Sequence, residues 1–74
     1  MQLSKWVFDE KENCWELVVK GRKCPAATVW NNGTWHTWDR DGVGGENSKE
    51  ESVHKAKIES SASAIMQGFI SHLT

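Results

Sequence analysis

Apolar and polar residues alternate most regularly between Cys14 and Lys20, where Trp15, Leu17 and Val19 share one side and Cys14, Glu16, Val18 and Lys20 the other. A period of two marks a strand with one face buried. Upstream, Ser4–Phe8 places Trp6 and Phe8 two apart on one face of a short strand, and Asp9–Asn13 is polar and reads as a turn. Downstream, Gly21-Arg22-Lys23 reverses the chain into a third strand, Ala26–Trp30, entered through Pro25, and Thr34–Asp39 forms a fourth.

Asn31-Asn32-Gly33 is the clearest turn signal, because Asn-Gly suits the positive φ angles of a type I′ connection. With Asn32-Gly33 as a two-residue loop, Trp30 faces Trp35, Thr28 faces Thr37, Val29 faces His36 and Ala27 faces Trp38. A cross-strand Trp pair contributes about 0.2–1 kcal/mol over an alanine pair.

Arg40–Asn47, with Gly42, Gly44 and Gly45, is expected to be an irregular loop. Ser48 then reads as a helix N-cap, since Ser48-Lys49-Glu50-Glu51 fits a capping box. Along the predicted helix Ile58, Ala62, Ile65, Met66, Phe69 and Leu73 fall on one face, with Val53 and Ala64 opposite, and Gly68 is expected to end it near Gln67. The expected fold is α+β: an antiparallel sheet of three or four strands, built from two hairpins, followed by one C-terminal helix packed on one face. At 74 residues the chain holds one core, so residues 1–74 are expected to be a single domain.

Composition changes this picture at one point. Five Trp is a large number for such a chain, and Trp serves small cores and binding hot spots alike. In the expected register Trp30 and Trp35 share one face while His36 and Trp38 share the other. One helix covers one face, which leaves aromatic surface for an interface.

Charge is balanced, with nine basic and ten acidic residues, so nucleic acid is disfavoured as the default partner. Lys20, Arg22 and Lys23 cluster at a hairpin end and, with Trp35, make the alternative candidate, a modest nucleic-acid or acidic-partner patch. No apolar run approaches membrane-spanning length, and Met1–Lys5 lacks signal-peptide character, so a cytoplasmic location without membrane association is expected.

Chemistry is sparse. If Val19 faces Cys24, Cys14 lies five residues along at ~3.4 Å each, about 17 Å away, so both thiols are expected to be free. Cys14, Cys24, His36, His54 and His72 contain no paired metal-ligand spacing. The glycine loop lacks a P-loop lysine and is flanked by acids. Its EF-hand-like spacing, Asp39, Asp41, Gly44 and Glu50, fails at Val43 and Glu46. No nucleophile, paired carboxylate, metal or cofactor site is implied, and a non-enzymatic protein is expected.

The run Trp15–Arg22, continued by Ala27–Trp30, Asn32–Asp39 and Gly42–Asn47, resembles short proteins encoded by phages and bacterial prophages. More loosely, three strands, a glycine-bearing loop and a helix are similar to HicB-like antitoxin domains. The phage resemblance implies a small accessory protein that binds a host or phage component, as inhibitors of host defence such as anti-CRISPR proteins do. The leading expectation is therefore protein–protein binding, to such a partner or to a second copy as a homodimer. The surface would be the aromatic sheet face of Trp30, Trp35, Thr28 and Thr37.

Overall fold

The computed structural model describes residues 4–71. Five strands run up and down in sequence order: β1 (Ser4–Asp9), β2 (Cys14–Val19), β3 (Ala27–Trp30), β4 (Thr34–Trp38) and β5 (Gly44–Lys49). Every neighbouring pair is antiparallel. One helix, α1 (Val53–Met66), crosses a single face of this open sheet and packs mainly on β3 and β4. The α+β class is as expected, with one strand more.

The added strand is β5, Gly-Gly-Glu-Asn-Ser-Lys, which holds no β-branched or aromatic residue. It forms because β4 offers an unpaired edge, placing Trp35 opposite Ser48 and His36 opposite Asn47. Only Arg40–Val43 of the expected loop is irregular, and Asp39 closes it. The Asp39 carboxylate accepts the amides of Asp41 at 2.8 Å and Val43 at 2.9 Å. With Ser48 in a strand, the helix cap moves to Ser52, whose hydroxyl accepts the Lys55 amide at 3.1 Å.

The β3–β4 register differs from expectation by one residue. Val29 sits opposite Trp35, Thr28 opposite His36 and Ala27 opposite Thr37. The loop has three residues: Gly33 donates its amide to the Trp30 carbonyl at 3.0 Å and closes the turn at φ 89°. That is a type I turn followed by a left-handed glycine, the three-residue hairpin. Because side chains alternate, one residue of slip exchanges the faces. Trp35 and Thr37 therefore lie under the helix, and Trp30, His36 and Trp38 lie on the open face.

The β2–β3 connection is also longer than expected, with Leu17 opposite Ala27 and Cys14 opposite Trp30. Arg22 organises it. One guanidinium nitrogen donates to the Phe69 carbonyl at 3.0 Å, and the other donates to those of Trp38 at 2.9 Å and Asp39 at 2.5 Å. The side chain thus ties the turn, the end of β4 and the segment after the helix together.

Beneath the helix are two joined clusters. Leu17, Ala26, Ala27, Ala64 and Ile70 form one, Val29, Trp35 and Ala56 the other, and Trp6 packs against both. The helix face that packs here is the one opposite the expected stripe. Ala56, Ser60, Ser61, Ser63 and Ala64 are buried, while Ile58, Ala62, Ile65 and Met66 face outward. Leu73 lies outside the described residues.

Small residues let the helix approach the sheet closely. Their hydroxyls are absorbed locally, since Ser60 and Ser61 donate to the Lys57 carbonyl at 3.3 and 2.7 Å. The approach also accounts for Gly45: a Cβ there would meet the Thr37 hydroxyl at 2.5 Å and the Phe69 ring at 2.7 Å. Gly68 follows the helix as expected. Its amide reaches the Ile65 carbonyl at 3.0 Å and that of Phe69 reaches Ala64 at 2.9 Å, a Schellman closure.

An open sheet face as the candidate functional site

The face away from the helix is built by strand parity. Val7 of β1, Val18 of β2, Thr28 and Trp30 of β3, and His36 and Trp38 of β4 all point to it. Val7 and Val18 are 38% and 40% exposed, and Trp30, His36 and Trp38 are half-buried. The Trp38 indole donates to the Thr28 hydroxyl at 3.0 Å, and its ring meets the His36 ring edge-on at 4.2 Å between centroids. These contacts fix the Trp38 ring against Thr28 and His36.

At one end of this face Cys14 is buried between its cross-strand neighbours Asp9 and Trp30. Ligand atoms of Asp9, Cys14 and Glu16 lie within 4.8 Å of one another. The cluster has a local explanation: the Asp9 carboxylate accepts the amides of Lys11 at 3.0 Å and Glu12 at 3.2 Å and so shapes the β1–β2 turn. Burial pushes the Cys14 thiol above its ordinary pKa, and the carboxylates of Glu16, Asp9 and Glu12 push the same way. Less thiolate at a given pH means slower alkylation. Iodoacetamide is expected to modify Cys24 well before Cys14 in the folded protein, and the Cys14 rate should climb as pH rises. Equal rates, read by peptide mass spectrometry, would contradict this placement. Both cysteines are free.

The structure separates the residues singled out from the sequence. Trp30 and Thr28 stand on the open face. Trp35, 5% exposed, lies under the helix, where its indole donates to the Glu50 carboxylate at 3.0 Å. Thr37 is buried there too: its hydroxyl accepts the Glu46 amide and the Gln67 side-chain amide, each at 2.9 Å. Lys20 and Lys23 are exposed at the far end of the sheet, but Arg22 is engaged with backbone carbonyls and Trp35 is not beside them.

Of the zinc candidates, Cys14 and His36 share the open face without meeting in any group of possible ligands among the described residues. His72 lies outside those residues. In the acidic loop the Asp39 carboxylate is bonded to its own turn and that of Glu50 to the Trp35 indole.

His36 and Trp38 belong in the candidate site in place of Trp35 and Thr37. Treating Asn31–Gly33 as a three-residue loop would have identified them. Among the described residues, no helix is long and apolar enough to cross a membrane. No protein-family model, curated protein or solved structure matches the chain.

Proposed function

We propose that this chain is a non-enzymatic protein-binding module whose docking surface is the open sheet face centred on Trp30, His36 and Trp38. One observation carries the reading: the single helix covers one face, and the other still presents two Trp rings flanked by Val7 and Val18. A half-buried aromatic held in place, as Trp38 is, makes a good anchor for a partner, because little rotamer freedom is left to lose on binding.

Charge points to a second copy of the chain as the occupant. The cross-strand row at one end of the face begins with Asp9 on β1, passes Cys14, Trp30 and Thr34, and ends with Lys49 on β5. A twofold axis along the strands would lay each Lys49 over the other copy's Asp9. Oppositely charged rims of this kind fix register more than they add affinity. A reducing, cytoplasmic setting agrees with two free thiols.

Light scattering over a concentration series tests the reading. Dimer mass at high concentration, with Val18→Lys raising the dissociation constant about tenfold or more, is the expected result. A monomer at every concentration would overturn self-association. If acrylamide then quenched Trp30 and Trp38 freely, the face would pass to a different protein, such as the host or phage component implied by the sequence resemblance.

A further inference from the structure

At the end of the sheet far from the β3–β4 hairpin is a cleft of about 430 Å³, within the size range of small-molecule sites. Four basic residues line it: Lys20, Arg22 and Lys23 from the β2–β3 turn, and Arg40 from the β4–β5 loop. They are four of the chain's nine lysines and arginines, and none of the described residues that line the cleft is acidic, although the whole chain carries a net charge of −1. In a chain so evenly mixed, this concentration of one sign sets up a local positive field.

Two residues that line this cleft each hold a buried donor with no hydrogen-bond partner among the described residues. Ser4 is 3% exposed and its hydroxyl has no partner, and the Arg22 Nε–H is buried and likewise unpaired. Orphaned buried polar groups are rare and costly, and here the two residues that hold them line one cleft. Arg22 turns both terminal nitrogens to the carbonyls of Phe69, Trp38 and Asp39, while its Nε–H points to no acceptor among the described residues. Phe69 and Ile70 also line the cleft and give it apolar surface.

We propose that this cleft binds a small organic phosphate monoester. Lys20, Lys23 and Arg40 would neutralise the dianion, and the organic group would rest on Phe69 and Ile70. Ser4 Oγ–H and Arg22 Nε–H, sealed from solvent, would donate to the phosphoryl oxygens once the side chains over them part. Donors arriving from three separate segments surround a tetrahedral group better than a planar carboxylate, which has two oxygens to share. The concave shape favours a small molecule over a nucleic-acid backbone, which needs an open track.

Calorimetry with phenyl phosphate, inorganic phosphate and phenol tests the assignment. Phenyl phosphate is expected to bind about tenfold or more tightly than inorganic phosphate, and phenol not measurably, because charge and apolar wall act together. Ser4→Ala should weaken phenyl phosphate about tenfold, as loss of one hydrogen bond to a charged group does. The same variant should leave the melting temperature unchanged or raised, since it removes an unpaired buried hydroxyl. A purely structural serine would lower the melting temperature and leave binding alone. The proposal is overturned if both phosphates bind equally weakly, or if Ser4→Ala does not alter binding. It is also overturned if a short DNA duplex binds with steep salt dependence while phenyl phosphate does not.

Discussion

Trp35→Ala is expected to destabilise the protein by about 3–5 kcal/mol, the range for emptying a buried Trp site. The indole is 5% exposed, packs with Val29 and Ala56 between sheet and helix, and holds Glu50 at 3.0 Å. A domain of this size has on the order of 4–11 kcal/mol of stability in total, so the variant sits near the edge of folding. Urea titration followed by circular dichroism gives the value. Trp35→Phe keeps most of the packing and loses the hydrogen bond, and about 1–2 kcal/mol is expected for it.

The informative comparison is with Trp30→Ala, on the open face. In the observed register Trp30 covers one side of a sheet that lacks a second layer, so its truncation should cost clearly less than that of Trp35. If Trp30→Ala were the more damaging change, the two hairpin faces would be exchanged. The docking surface would then be centred on Trp35.

That exchange of faces also explains how much was legible in the sequence. Alternation at Cys14–Lys20 and the Asn31–Gly33 turn were enough to place β2, β3 and β4, because those signals are local and strong. The length of the turn was not decidable from Asn-Gly alone. Glycine serves a two-residue loop and a three-residue loop equally well, and the choice is settled by what Gly33 meets elsewhere in the fold. Strand β5 was hidden for a different reason. Its residues have little strand preference of their own, and its pairing comes from the β4 edge.

The helix lies in the opposite orientation to the one its sequence predicts, because hydrophobicity favours Ile58, Ile65 and Met66. Packing distance instead favours the Ala and Ser face, where the Ser60 and Ser61 hydroxyls bond back to the helix and that of Ser63 donates to the Glu46 carboxylate. The Arg22 clasp was out of reach from the sequence, since one of its partners, Phe69, lies 47 positions away. The candidate face was half legible: the surplus of Trp implied aromatic residues on both faces of the sheet, and the register decided which Trp lies on which.

Gly33→Ala tests the contact that decides the register, and it is expected to cost about 3 kcal/mol. Gly33 stands at φ 89°, where an L side chain costs roughly 1–2 kcal/mol. A Cβ there would also run into the backbone carbonyl of Glu50, and overpacking of this kind adds about 1–3 kcal/mol. The contact is held in place, because the Glu50 amide donates to the Gly33 carbonyl at 2.9 Å while the Glu50 side chain holds the Trp35 indole. The turn therefore cannot shift without releasing the segment that leads into the helix. Gly21 supplies the control: it has φ 87° and nothing within 4 Å of where a Cβ would stand, so Gly21→Ala should show the backbone strain alone, about 1–2 kcal/mol. A Gly33 cost clearly above the Gly21 cost, measured by the same urea titration, would establish that the hairpin is locked against Glu50. Equal costs would mean that the turn is free there, and that the assignment of Trp30 and Trp38 to the open face rests on strand pairing alone.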